Sequence, residues 1–360
     1  MRRRDFLLAL AALSGPGMAG AKAGTVDFAP VLPGRRLVFP EDFGAHPDFR
    51  TEWWYATGWL TLEDGSPLGF QTTFFRIRTG IGEDSASAFA PRQLILAHAA
   101  LADPRVGRLR HAERAARAGF GRAGFAQGRS EVWIGDWRFA QHGDSYQATV
   151  RSDDFAYALN LVPDGPPLLN GMAGFSAKAP DPRHASYYYS RPQLAVDGTV
   201  TLAGKAQRVS GRAWLDHEWS SELLPETAQG WDWVGINLDD GSALMAFRLR
   251  DPDNRTLWSA ATFRTAAGSA TTFPASAVRF EPLRHWRSPR TGIGYPVAWR
   301  LRVGRREFEL QALIDDQELD SRRSTGAIYW EGAVRLREGD HEIGRGYLEM
   351  TGYGERIRIG

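Results

Sequence analysis

The chain has 360 residues, 43% of them hydrophobic and 12% aromatic, with 44 basic against 42 acidic side chains and a formal charge of +2. It has no cysteine, which excludes disulfides, thiol catalysis and thiolate metal sites. The charges are well mixed and form no basic run, so the usual footprint of a nucleic-acid-binding protein is missing.

In chain order, residues 1–23 read as a twin-arginine-type signal peptide rather than as fold. Arg2-Arg3-Arg4-Asp5-Phe6-Leu7-Leu8 opens it, residues 6–13 are a short apolar stretch, and Ala21-Lys22-Ala23 fits a small-x-small cleavage site. The apolar stretch is far below the roughly 20 residues of a membrane span. A periplasmic or secreted protein with no transmembrane span in the mature chain is therefore expected; the alternative is a cytoplasmic protein with a basic N-terminus.

Residues 29–47 are an irregular lead-in. Residues 52–62 and 68–78 read as strands around a Glu63-Asp64-Gly65-Ser66 hairpin turn. A further apolar run covers 93–101. The Arg-, Ala- and Gly-rich stretch 103–130 predicts a short helix around 112–118. Strands resume at 131–140 and 145–162, followed by a long polar loop over 168–186, Tyr187-Tyr188-Tyr189-Ser190, and a turn at Asp197-Gly198. Residues 207–219 form the last strand of this half, and 220–229 read as a linker.

That last strand carries the densest chemistry. Alternation puts Ala213, Leu215, His217 and Trp219 on one face and Arg212, Trp214, Asp216 and Glu218 on the other. His217 is thus an ionisable ring among apolar neighbours, where one partner can set its pKa and tautomer. The plainer reading is a core histidine bonded to a backbone carbonyl.

The second half repeats the first. Leu62-Glu63-Asp64-Gly65-Ser66-Pro67-Leu68 matches Leu238-Asp239-Asp240-Gly241-Ser242-Ala243-Leu244, and Trp53-Trp54-Tyr55 matches Trp231-Asp232-Trp233. Gly211-Arg212-Ala213-Trp214-Leu215-Asp216 parallels Gly344-Arg345-Gly346-Tyr347-Leu348-Glu349, and Tyr188-Tyr189 parallels Tyr329-Trp330. Ordered matches argue for a duplicated unit, and short strands with repeated turns argue that it is an antiparallel barrel or sandwich. The expected fold is all-β, with domains over 30–223 and 228–360. Under this alignment Trp214/Tyr347 and Asp216/Glu349 are shared positions and are assigned to the fold. His217 corresponds to Met350 and Glu218 to Thr351, so their chemistry belongs to the first half.

An ordered set of stretches resembles the AttH/CrtC family, the lipocalin-like proteins that include carotenoid 1,2-hydratase. They are His46-Pro47 with Glu52-Trp53-Trp54-Tyr55, Tyr187-Tyr188-Tyr189-Ser190-Arg191, Trp214-Leu215-Asp216-His217-Glu218-Trp219, Gly230-Trp231-Asp232-Trp233, Gln317-Glu318-Leu319, Tyr329-Trp330-Glu331-Gly332 and Gly346-Tyr347-Leu348-Glu349-Met350-Thr351-Gly352-Tyr353. The resemblance implies two lipocalin-like β-barrel domains, a hydrophobic lipid- or terpenoid-like ligand, and a setting beside ABC export systems. It also implies an alternative, a hydro-lyase that protonates an isolated C=C bond and adds water to the cation.

The similarity to the hydratase members rests on His217 and Trp219. Such chemistry needs a strong acid, aromatic faces for a cation and a dry pocket. Asp232, on a strand face with Val234, Ile236 and Leu238, is the candidate acid; its other reading is a carboxylate bonded to loop backbone or to an arginine. Asp216, Glu218 and Glu52 are alternates, and Glu52 could equally pair with an arginine or bridge the halves. Trp53, Trp54, Tyr55, Tyr188, Tyr189, Trp231 and Trp233 are candidate ligand-wall residues or, as plausibly, core and interface. No compact metal-ligand spacing and no nucleophile elbow appear, so neither a metal nor another cofactor is expected.

Overall fold

The structure is a computed structural model that describes residues 26–356; the signal-peptide reading falls on residues outside them. Among the described residues the first half holds β1 (Thr51–Leu62), β2 (Pro67–Arg78), β3 (Gln93–Asp103), β4 (Arg108–Arg117), β5 (Ala123–Phe125), β6 (Glu131–Ile134), β7 (Trp137–His142), β8 (Ser145–Arg151), β9 (Phe155–Val162), β10 (Leu168–Leu169), β11 (Phe175–Ala177), β12 (Ala185–Leu202) and β13 (Lys205–Ser220). The second half holds β14 (Gly230–Leu238), β15 (Ala243–Arg250), β16 (Thr256–Arg264), β17 (Ala270–Phe273), β18 (Val278–Arg287), β19 (Gly294–Val303), β20 (Arg306–Ala312), β21 (Glu318–Ser321), β22 (Ala327–Glu338) and β23 (His341–Met350).

Each half is one antiparallel sheet curled around its own core. The first runs β4-β3-β2-β1-β13-β12-β9-β8-β7-β6-β5, with β10 and β11 added to β12. Its ends approach: Arg114 of β4 donates to the Ile134 carbonyl of β6 at 3.1 Å and lies 4.6 Å from the Trp137 ring of β7. Inside are Trp54, Phe70, Phe74, Val132, Phe139, Leu161 and Leu215. The second runs β17-β16-β15-β14-β23-β22-β20-β19-β18, with β21 added to β22. There the Ser259 hydroxyl on β16 reaches the Val278 carbonyl of β18 at 3.3 Å, around a core of Val234, Ile236, Trp299, Trp330 and Leu348. The chain is therefore all-β, with two lipocalin-like barrel or sandwich domains.

The duplication is visible in strand register. β1 on β13 sets Trp54 opposite His217 and Tyr55 opposite Asp216; β14 on β23 sets Asp232 opposite Met350 and Trp233 opposite Glu349. β12 on β13 pairs Ser190 with Asp216, and β22 on β23 pairs Glu331 with Glu349. Both hairpin turns that the repeat shares have a glycine in the left-handed region, Gly65 at φ 82° and Gly241 at φ 86°.

Two local expectations are corrected. Residues 108–117 form β4, not a helix. They pair with β3 from Asp103↔Arg108 to Leu94↔Arg117, and alternate alanines Ala112 and Ala116 pack on the barrel core. A period of two wins over alanine's helix propensity because an open sheet edge was waiting there. Asp197-Gly198 is no turn but the middle of β12. A side chain at Gly198 would meet the Ala158 carbonyl oxygen at 2.2 Å.

The two sheets meet through the outward faces of β1, β2, β13, β14, β15, β22 and β23. Tyr55, Trp59, Trp214, Trp233, Met245, Phe247, Tyr329 and Tyr347 form this third apolar cluster. A bulge between Arg191 and Leu194 turns Gln193 out of β12, at φ 60°, and its amides bond Asn237 Oδ1 at 2.7 Å and the Leu238 and Ser242 carbonyls at 2.8 Å. The Trp59 indole donates to the Gly346 carbonyl at 2.9 Å.

Candidate functional site

A cavity of about 450 Å³ lies between the two sheets. Its apolar wall includes Trp53, Phe75, Ile77, Leu94, Leu96, Leu223, Leu224, Trp231, Trp233, Phe247 and Leu249. That size suits a small molecule, and an apolar wall with a few convergent polar groups is the usual form of a ligand site. The polar groups include five acids, Glu52, Asp216, Glu218, Glu331 and Glu349, together with Arg76, Lys178, Tyr55, Tyr329, His98 and Ser324. β13 supplies Asp216 and Glu218, β22 supplies Glu331, and β23 supplies Glu349.

Burial decides the protonation of these acids. Asp216 accepts from the Tyr188 and Ser190 hydroxyls and the Trp214 indole, each at 2.6 Å. These donors favour its charged form, yet burial outweighs them and pushes its pKa up to about 7. Glu349 is pushed up to about 8, again by burial, against a hydrogen bond from Trp231 and with the charges of Asp216 and Glu218 nearby. Glu331 is raised well above the ordinary carboxyl value by burial and by Glu349. Its Oε1 is buried without a hydrogen-bond partner. Glu218 differs, since the Lys178 ammonium lies 2.8 Å from its Oε1 and 4.3 Å from the Phe247 ring centre. The cavity thus combines three carboxyls whose pKa burial raises with one lysine–carboxylate pair.

The predicted residues divide between this cavity and the barrel interiors. Trp53, Tyr55, Trp231, Trp233, Asp216 and Glu218 line the cavity, and Glu52 is also part of its lining. Tyr188 stands behind the wall, bonding Asp216 at 2.6 Å and accepting from the Trp233 indole at 3.0 Å. His217 and Trp219 point the other way, into the first barrel, and both are fully buried. The His217 ring stacks on Trp54 at 4.8 Å, with Nε2 2.8 Å from Glu52 Oε1 and Nδ1 3.0 Å from the Tyr189 hydroxyl. The expected meeting of His217, Trp219 and Asp232 in one pocket does not occur. Asp232 faces the second barrel's interior, where Arg248 at 2.6 Å, Arg250 at 2.9 Å and the Tyr353 hydroxyl at 2.9 Å bind it. Trp54 and Tyr189 likewise belong to the barrel interior rather than to the cavity wall.

Around Glu52 the lead-in is pinned to the first barrel. Arg76 Nε donates to Glu52 Oε2 at 2.8 Å, and the same arginine reaches the His46 and Phe49 carbonyls at 2.9 Å. His46 stacks on Trp219 at 3.7 Å, with Nδ1 2.7 Å from Glu52 Oε1 and Nε2 2.9 Å from Asp42 Oδ1. Burial works against the Glu52 charge, but Arg76 and His46 hold its pKa well below the ordinary value. Burial also works against a charged His46, which Glu52 and Asp42 overcome, raising its pKa; burial lowers that of His217. His46, Glu52 and His217 bring their ligand atoms within 4.8 Å, a spacing that could hold a metal ion. Hydrogen bonds among them and to Arg76 already satisfy Glu52, so the group closes as a structural network.

Lys178 comes from an element with no motif of its own, and nothing in the local sequence singled it out. Glu331 was quoted there without a role, and Glu349 was assigned to the fold. The signal for those two was present: an acid repeated opposite an acid in adjacent strands has no place in an apolar interface without a use.

Comparison with known proteins agrees with the fold. The AttH-like family model matches residues 30–353. A crystal structure of an AttH-type protein from Nitrosomonas europaea is 50% identical, covers 91% of this chain and 100% of its own, and superposes with a TM-score of 0.85. Kievitone hydratase from Nectria haematococca shares the fold at 14% identity, with 90% of this chain and 95% of that one covered and a TM-score of 0.68. CghA in complex with Sch210972 does so at 16% identity, with 85% and 89% covered and a TM-score of 0.55. A search among curated proteins finds no match. The match over nearly all the described chain, together with half-identity to a structure of the same type, places this protein in the AttH-like family.

Proposed function

We propose that the cavity between the two domains binds an elongated, largely apolar molecule and that its carboxyls add water across an isolated C=C bond. The observation that carries this reading is a pair of buried carboxyls, Glu331 and Glu349, paired across two strands and facing an aromatic cavity, where burial raises the pKa of both. A carboxyl kept neutral in an apolar site is a proton donor at neutral pH. The Glu331–Glu349 pair gives its proton to one alkene carbon. The cation left on the other carbon sits against the faces of Trp53, Trp231 and Trp233. Water adds to it, and the ionised fraction of Asp216 takes the water's second proton. The Glu218–Lys178 ion pair offers that water a polar seat in an otherwise dry wall.

A carrier of a hydrophobic molecule, working with an ABC-type export system, would use the same cavity. It has no need of proton donors there, and that is why catalysis is the reading preferred. The hydratase name of the fungal neighbour accords with it, although that likeness is one of fold. With residues 1–23 as an export signal, the reaction would run outside the cytoplasm.

The test is a panel of acyclic apolar alkenes, terpenoids with a terminal isolated double bond among them, incubated in ¹⁸O-labelled water. Wild type should yield a labelled alcohol; Glu331→Gln and Asp216→Asn should not, while still quenching tryptophan fluorescence on binding. Binding by wild type without label incorporation across the panel would reject the hydratase and leave the carrier.

A further inference from the structure

The acid chemistry just proposed leaves a proton to be replaced. In each turnover the donor's proton ends on carbon and one proton of water ends on Asp216, so none is consumed, yet the donor is left ionised. Glu331 is only 2% exposed, so its recharging needs a path.

Such a path runs along the cavity wall and across the domain interface. Tyr329 precedes Glu331 by two residues on β22 and so shares its face. Its hydroxyl lies 2.6 Å from His98 Nδ1, and His98 Nε2 lies 2.8 Å from the Ser324 hydroxyl. That hydroxyl donates to Glu113 Oε2, which also accepts the Ser324 peptide N–H at 3.1 Å. Glu113 is half-buried on β4, an edge strand of the first sheet. At the inner end, burial first and then the neighbouring charge of Glu331 raise the pKa of the Tyr329 phenol, and Glu331 Oε1 is buried without a hydrogen-bond partner, open to a proton from that side.

The groups between the two carboxyls share one property. A phenol, a neutral imidazole and an aliphatic hydroxyl can each donate and accept at once. His98 is held neutral, its pKa pushed down to about 3 by burial and by His111. It therefore keeps one N–H and one lone pair, as a relay requires. A purely structural bridge could have been built from groups that only donate, such as lysine or arginine.

We propose that Tyr329, His98 and Ser324 form a proton relay that reloads the Glu331 carboxyl from Glu113 at the surface. A proton taken up by Glu113 passes to the Ser324 oxygen as Ser324 gives its own to His98 Nε2. His98 releases the proton on Nδ1 to the Tyr329 oxygen, and the Tyr329 proton goes to the Glu331 carboxylate. Each O–H or N–H bond broken is matched by one formed. His98 ends with its proton on Nε2, donating to Ser324, which agrees with the bond Ser324 makes to Glu113; rotation of the hydroxyls and return of the imidazole tautomer complete the cycle.

Infrared spectroscopy of the full chain tests the relay without any substrate. The C=O band of protonated Glu331 is identified by its loss in Glu331→Gln, and its shift is then timed after rapid mixing into D₂O. The relay predicts that His98→Phe slows this exchange by about tenfold or more, as expected when a positioned proton carrier is lost, with the band itself retained. Tyr329→Phe, which removes a single hydroxyl, should slow it likewise and serves if His98→Phe fails to fold. Equal exchange rates in wild type and in the folded variants would overturn the relay while leaving the acid reading intact. Absence of any Glu331 band would overturn both.

Discussion

Glu331 and Glu349 stand directly opposite one another on β22 and β23, and both face the cavity between the domains. Like charges opposite each other across a strand pair are unfavourable. Holding protons removes the repulsion, and in the proposed hydration the same protons make the pair the acid.

A pH-dependent stability follows. The Glu349 carboxyl has an ordinary pKa of 4.5 and is pushed up to about 8 in the folded chain. Between those values the unfolded chain has released a proton that the folded chain retains. The unfolded state then binds fewer protons, so the stability contributed is full below the lower value and is lost as pH rises through the window. Glu349→Gln should therefore gain melting temperature over wild type as pH is raised from 4.5 to 8.5, with little difference at the acidic end. A constant offset across that range would contradict the raised pKa.

His217→Gln should cost stability rather than ligand binding. The imidazole bonds Glu52 and Tyr189 and stacks on Trp54, so its replacement strands buried partners at about 1–3 kcal/mol. Denaturant unfolding should show the loss, and binding of an apolar fluorescent probe per folded molecule should be unchanged.

Asp232→Asn should behave similarly and more severely. Arg248 and Arg250 are 5% and 2% exposed, and both bind this carboxylate. Removing its charge leaves two buried cations without a counter-charge, and breaking such a pair costs about 3–5 kcal/mol. A variant as stable as wild type would show that the cations find other partners.

Trp231→Ala should weaken binding without unfolding the chain. The ring lines the cavity and is only partly buried, so its loss trims the ligand wall rather than a barrel core. Titration with an apolar fluorophore should show an affinity lower by about 1–3 kcal/mol. Unaltered affinity would place the ligand elsewhere.

Much of the fold was legible in the sequence. The Asp-Gly-Ser turns, the paired aromatics and the repeated Trp/Tyr-Leu-Asp/Glu stretches foretold two antiparallel units, and the register sets Trp54 with His217 where it sets Asp232 with Met350. The two faces of β13 were also separable by alternation. What local sequence withheld is which face meets a cavity. A histidine among apolar residues draws notice, but the apolar face of a barrel strand packs inward. The face bearing Asp216 and Glu218 would meet water in a lone barrel. Here a second barrel covers it and traps its acids, a consequence of long-range packing. Glu349 was set aside as a fold residue because it repeats Asp216; both acids face the cavity, so repetition marked the site as well as the architecture. His98 and Ser324 touch at 2.8 Å across 226 residues of chain, a proximity that no local pattern encodes.

The proposed chemistry resides in the cavity between the domains and not inside the first barrel. Comparing Glu331→Gln with His217→Gln tests it most directly, each measured as hydration of an accepted alkene per folded molecule. Glu331→Gln should lose about 100-fold or more in rate, the scale of a missing general acid, while His217→Gln should turn over at the wild-type rate. Full activity in Glu331→Gln with activity abolished in folded His217→Gln would contradict it.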